Sequence, residues 1–218
     1  MVSQGVRRQQ PESIPIQPCT DVLLLDAAAG VIEQFGYAGV TLARLADAAS
    51  TSRMTLHRRE ITLPAVVAGL SLRAVSELRE ALFPVLTGTQ PADQRLMAAL
   101  EAMCDLADRH LPLLAGLFSD DAGVFHAQPD ETGALPTDNA FVAPFAKLLA
   151  DGEADGTLQP QKDRTETATV LFNTAGWGYV QLRHAQRWPV VRAREGVLRL
   201  LLSGLLAQPS EPLAPTTG

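Results

Sequence analysis

The stretch from Thr41 to Arg59 constrains this chain more than any other. It reads Thr-Leu-Ala-Arg-Leu-Ala-Asp-Ala-Ala-Ser-Thr-Ser-Arg-Met-Thr-Leu-His-Arg-Arg. Thr41 is a good N-cap, because its hydroxyl can accept from a first-turn amide. Leu42, Leu45 and Ala46 follow at helical spacing and predict one buried face. Ala48 and Ala49 are small enough to let a second helix cross closely. Ser50-Thr51-Ser52 breaks the pattern and offers a second cap. Arg53 to Arg59 then continues as a helix with Leu56 inward and Arg53, Met54, Thr55, His57 and Arg58 outward. Two short helices joined by a tight turn are the layout of a helix-turn-helix, whose second helix enters the DNA major groove.

The flanking sequence fits a compact unit around this pair. Thr20 is expected to cap a preceding helix, with Asp21 favourable in its first turn. Leu25, Ala28, Ile32 and Phe35 recur at three and four residues and predict its buried stripe. Gly36 suits a left-handed helix end, and Gly39 loosens the turn before Thr41. Phe35 and Tyr37 are expected as core anchors of a three-helix unit. Thr62 opens the next helix, with Pro64 in the first turn, where its missing amide costs nothing. Leu63, Val66, Val67, Leu70, Ala74, Leu78 and Leu82 carry that helix far enough to join the unit to a larger body. Pro84 and Thr87-Gly88-Thr89-Gln90-Pro91 are expected to close it.

Asp26-Ala-Ala, Phe35-Gly-Tyr, Thr41-Leu-Ala-Arg-Leu-Ala and Ser52-Arg-Met-Thr-Leu-His, in this order and spacing, resemble the N-terminal domain of the tetracycline-repressor (TetR) family. The resemblance runs from about Thr20 to about Leu70. It implies an all-α homodimer that binds a palindromic operator, with a larger helical domain holding a small-molecule pocket that controls DNA affinity. It also implies that the connecting helix moves on ligand binding and sets the separation of the recognition helices. The chain departs from the family's habits at three places. Ser50 stands where Gly is usual, His57 where Tyr is usual, and Glu60-Ile61 where an aromatic residue is expected.

Charge distribution agrees with a local DNA-reading face. The net charge is −6, which argues against a general nucleic-acid binder. Residues 1–70, however, hold six Arg against six carboxylates, so the whole deficit lies in residues 71–218. Arg44, Arg53, Arg58 and Arg59 face only Asp47 within their stretch. A small basic face on an acidic body favours site-specific over indiscriminate phosphate binding. Arg53, Thr55 and His57 are the candidates for base-edge or nearby phosphate contacts, with Met54 as an apolar contact to a thymine methyl. Thr41, Arg44, Ser52, Arg58 and Arg59 are candidate phosphate anchors that set register.

The division expected is a disordered arm over 1–18, a helix-turn-helix domain over 19–66, a helical effector-binding and dimerisation domain over 67–207, and a disordered tail over 208–218. Arg7 and Arg8 in the arm could touch DNA. In the body, Pro91 opens a helix with Leu96, Leu100, Met103, Cys104 and Ala107 inward. Leu111 to Phe118 is short and apolar, and 119–136 reads as a loop or broken helix. Asp138 or Asn139 can cap a helix through Phe141, Phe145, Leu148 and Leu149, ended by Gly152 and Gly156. Leu171, Ala175, Gly178 and Leu182 share a face of the next. Val197, Leu198, Leu200, Leu201, Leu202, Leu205 and Leu206 cover most of the last, as a helix buried in a four-helix dimer interface would require.

An apolar or aromatic effector is expected. Phe118, Phe125, Phe141, Phe145, Phe172 and Trp177 could line its cavity, with Asn173, Thr174 or His110 as polar handles. Core filling is the competing reading for each aromatic. Cys104 belongs in the core and Cys19 is expected exposed; the two do not make a disulfide framework. No metal-ligand spacing, nucleophile motif or cofactor motif stands out, so neither an enzyme nor a cofactor is expected. No apolar run reaches the length of a membrane span and no signal-peptide core is present, which places the protein in the cytoplasm. The expected function is a ligand-responsive regulator, a repressor in the first instance. The alternative is a TetR-like protein with a degenerate DNA surface that acts through protein or small-molecule binding.

Overall fold

A computed structural model describes residues 16–119 and 141–207. The N-terminal arm with Arg7 and Arg8, the segment with Asp120-Asp121 and Phe125, the cap at Asp138 or Asn139, and the tail from 208 lie outside the described residues, as does the side chain of Phe118. Among the described residues the chain is all-helical and has no strand. The helices are α1 (Val22–Phe35), α2 (Leu42–Ala48), α3 (Arg53–Arg58), α4 (Leu63–Thr87), α5 (Ala92–Arg109), α6 (Leu111–Ser119), α7 (Ala143–Asp155), α8 (Arg164–His184) and α9 (Val190–Ser203).

Local side chains start the short helices. Thr41 accepts from the Arg44 amide at 3.2 Å, Ser52 from the Thr55 amide at 3.0 Å, and Thr62 from the Ala65 amide at 3.2 Å. Each cap satisfies one of the amides that a first helical turn leaves without a partner. The start of α1 differs from expectation. Asp21, not Thr20, is its cap and accepts from the Leu24 amide at 3.2 Å. A carboxylate caps at least as well as a hydroxyl, so the helix begins one residue later. Pro84 does not end α4, which continues to Thr87. Gly152 likewise sits inside α7, where its bare Cα admits the Leu158 side chain. The true stop is Gly156, in a left-handed conformation with φ 77°.

Two clusters of buried side chains organise the chain. The N-terminal one gathers Leu24, Leu25, Ala28 and Ile32 of α1, Leu45 and Ala46 of α2, and Leu56 of α3. It also takes Val66, Val67 and Leu70 from α4, and Leu113 and Leu117 from α6. Cys19 is buried in this cluster, not exposed, because its amide donates to the Ala65 carbonyl at 2.7 Å and draws the segment against Gly69. Phe35 departs from its expected core role. It is 46% exposed, and the Arg44 guanidinium lies over its ring, 4.4 Å from the centroid. Leu42, 37% exposed, also leaves the buried face of α2 to Leu45 and Ala46.

The second cluster fills the body between α4, α5, α7, α8 and α9, with Leu78, Leu96, Leu100, Leu148, Leu149 and Tyr179 among its most enclosed members. Polar staples tie α5 to the last two helices. Tyr179 donates to Asp108 at 2.5 Å, Arg183 donates to Asp108 at 2.6 Å, and Arg194 pairs with Asp105. Cys104 is buried as expected, and burial pushes its thiol up to about 12. The last helix is only partly enclosed within one chain: Val197, Leu198 and Leu202 are buried, but Leu200 is 71% exposed; Leu206, beyond the helix end at Ser203, is 39% exposed.

Ser50 carries backbone strain. It joins α2 to α3 with φ +50°, a region that costs a residue with a Cβ about 1–2 kcal/mol. Ser50→Gly is expected to stabilise the N-terminal unit by about 0.5–1 kcal/mol, after the greater chain entropy of glycine is subtracted. Thermal unfolding followed by circular dichroism measures it, and a lowered midpoint would show that the Ser50 side chain contributes something the turn needs.

Candidate nucleic-acid interface and body cavity

The recognition surface is built on a six-residue helix. Leu56, fully buried, anchors α3 in the N-terminal cluster. That single inward residue turns Arg53, Met54, His57 and Arg58 to solvent and leaves Thr55 half-buried. Met54 is 68% exposed, unusual for so apolar a side chain on a small surface. The Thr55 hydroxyl shares a 2.9 Å hydrogen bond with Ser52, and Ser52 is itself the cap. These contacts fix where α3 begins and which way it points.

The four Arg residues of the stretch divide into two pairs. Arg44 donates to the Gly39 carbonyl at 2.7 Å while covering Phe35, so it braces the turn before α2. Arg59 donates to Asp21 at 2.5 Å and clamps the end of α3 to the start of α1. Its guanidinium holds the Asp21 carboxyl below the ordinary 3.8, the hydrogen bond being the largest cause. A lowered value means the pair stabilises the fold at neutral pH. That contribution is lost as pH falls below 3.8 and through the folded value. Arg53 and Arg58, by contrast, make no hydrogen bond or ion pair to the described residues and stand clear on the exposed face. Glu60 follows with φ +54° and is exposed.

A cavity of about 90 Å³ lies in the body. Ser71, Ala74, Val75 and Leu78 of α4 form one wall, and Met103 and Leu106 of α5 another. Leu113, Leu114 and Leu117 of α6 close the end nearest the N-terminal unit. Phe141, Phe172, Asn173 and Trp177 complete it. Phe141 and Phe172 stack with ring centroids 4.7 Å apart and 19° between planes. Phe145 does not line the cavity. It is fully buried in the body core, because its position on α7 faces inward. His110 is not a handle there either, since its Nε2 lies 3.0 Å from Glu77 on α4. Sequence reasoning missed Ser71 and the aliphatic walls, which local periodicity marks only as core.

Leu113 and Leu117 belong both to the cavity wall and to the N-terminal cluster. Between them, Gly116 lets Tyr37 rest directly on α6; a Cβ there would come within 2.1 Å of the Tyr37 side chain. The cavity and the DNA-facing unit thus share one short helix.

The model of bacterial regulatory proteins of the tetR family matches residues 24–59, the segment that spans α1 to the end of α3. The chain carries a TetR-family DNA-binding domain. The fold of the chain is similar to those of several solved proteins. A regulator from Saccharomonospora viridis, solved in complex with choline, superposes with TM-score 0.69 at 18% identity over 85% of this chain and 97% of its own. The ketosteroid regulator KstR2 of Mycobacterium tuberculosis gives 0.63 at 17% identity, covering 88% of this chain and all (100%) of its own. A Rhodococcus protein of unknown function gives 0.64 at 25% identity over 85% and 94%. No curated protein matches the chain. Among the described residues, no helix is long and apolar enough to cross a membrane, and no group of metal-binding side chains gathers.

Proposed function

We propose that this protein is a ligand-responsive transcriptional regulator, a repressor that binds a palindromic operator as a dimer. The observation that carries this reading is α3 itself: a capped helix held by Leu56, with Arg53, Met54, His57 and Arg58 turned to solvent on a TetR-family domain. Arg53 is the base reader, because Arg can pair with guanine through two acceptors. Arg58 serves as a phosphate anchor, and the Thr41 and Ser52 hydroxyls act first as caps. The body cavity receives the effector. The α6 helix, whose Leu113 and Leu117 touch both the cavity and the N-terminal cluster, carries its effect to the DNA-reading unit along with α4.

Exposed apolar side chains on the last two helices support dimerisation there. Val170 on α8 is 58% exposed, and on α9 Val191 is 65% and Leu200 71%. Gly176 and Gly178 leave open space above α8. Burying such a face against its two-fold copy removes apolar area from water and places two recognition helices on one side of a duplex. Residence in the cytoplasm and absence of catalysis follow from this role.

The test is binding of the purified chain to DNA flanking its own gene, by fluorescence anisotropy across a salt series. Sequence-selective binding that weakens steeply with salt is expected. A second reading, a regulator-like protein without an operator, draws on exposed Glu60 and on Arg59 turned onto Asp21. Failure to select any sequence from random duplexes would favour it.

A further inference from the structure

The chemistry of the cavity wall narrows the ligand, if the cavity is the effector site as proposed above. Ser71 is buried, at 2% exposed, and lies in that wall. Its hydroxyl donates to the Val67 carbonyl one turn back in α4, at 3.0 Å. The proton is therefore committed within the helix, and the lone pairs of Oγ remain to accept. Asn173 differs: one N–H of its Nδ2 donates to the Thr169 carbonyl at 2.8 Å, and its second N–H and its amide oxygen leave it able both to donate and to accept. None of the other described wall residues is ionisable, and apart from the indole N–H of Trp177 their side chains are apolar.

Such a wall sorts ligands by polarity. A carboxylate would lose its water, meet no cation among the described wall residues and lie against the Ser71 oxygen, a combination that costs several kcal/mol. A ketone, ester or ether could accept from Asn173 but would set an acceptor against the Ser71 oxygen. A hydrocarbon would fit but gain no hydrogen bond. We propose that the cavity takes an uncharged, largely apolar molecule bearing an O–H donor, an alcohol or a phenol, whose hydroxyl donates to Ser71 Oγ. Its body lies among the α4 and α6 aliphatics and the Phe141–Phe172 pair. The volume of about 90 Å³ matches a body no larger than one small ring, since an engineered cavity of about 150 Å³ holds benzene. The hydroxyl lands on α4, the helix that leads directly into the N-terminal cluster through Val66, Val67 and Leu70.

Calorimetry on the full chain with p-cresol, 4-methylanisole, toluene, p-toluate and choline tests this. p-Cresol should bind about threefold to tenfold more tightly than toluene or 4-methylanisole, the worth of one ordinary hydrogen bond. p-Toluate and choline should bind more weakly than toluene. Ser71→Ala should remove the p-cresol preference and leave toluene binding intact, which shows that the variant is folded. Equal binding of p-cresol and toluene, tighter binding of p-toluate or choline, or a preference that survives Ser71→Ala each overturns the proposal. Binding by none of the five overturns the cavity as an effector site, while the operator assay judges DNA binding separately.

Discussion

Replacing Gly116 with alanine is expected to destabilise the protein by about 1–3 kcal/mol, the usual cost of forcing a methyl into filled space. The added Cβ would lie 2.1 Å from both Cβ and Cγ of Tyr37. Those atoms are close to the Tyr37 backbone, so a rotamer change cannot clear them. Either α6 must lift off, or the Tyr37–Gly39 turn must move. For a chain of this size, each kcal/mol shifts the thermal midpoint by roughly 2–4 °C. Gly30→Ala is the matched control. Gly30 lies within α1 and has nothing within 4 Å of an added Cβ. It should gain up to about 1 kcal/mol from helix propensity. If both variants melt alike, α6 does not rest on Tyr37. The α6 helix also links cavity to DNA unit, so Gly116→Ala should weaken the response of operator binding to ligand more than it weakens operator binding itself.

Arg53→Ala is expected to cost about 1–3 kcal/mol in operator binding, roughly 5- to 150-fold, and to relax preference at one base position. Anisotropy against a panel of single-base operator variants measures both. Equal weakening on every sequence, with a shallower salt dependence, would instead make Arg53 a phosphate contact. Arg44→Ala and Arg59→Ala should behave differently. Arg44 braces Gly39 and Phe35, and Arg59 clamps Asp21, so each loss should appear first in the stability of the N-terminal unit.

Much of the N-terminal unit was legible in the sequence because its determinants are local. A Thr or Ser cap reaches an amide three residues on, and Thr41, Ser52 and Thr62 do so wherever the rest of the chain lies. The spacing around Leu56 likewise dictates which side of α3 faces water. Helical periodicity also placed the inward residues of α5, from Leu96 to Ala107, since burial on one face repeats at 3.6 residues. The all-α class and the resemblance to the TetR family rest on the same short-range order.

Tertiary structure decided everything that depends on partners distant in sequence. Phe35 continues the apolar stripe of α1, but the helix overruns its neighbours and the ring is covered by Arg44 instead of the core. Arg59 meets Asp21 across 38 residues, which takes it from the free cations of α3. Phe145 and Phe172 look alike in sequence; only the placement of α7 and α8 buries one and brings the other to the cavity. The cavity itself is space left between four helices and Phe141, and a void has no residue pattern of its own. Ser71 shows the same limit. Its i−4 hydrogen bond could be anticipated from the helix, but that it lines a cavity was set by how α5, α6 and α8 pack around α4.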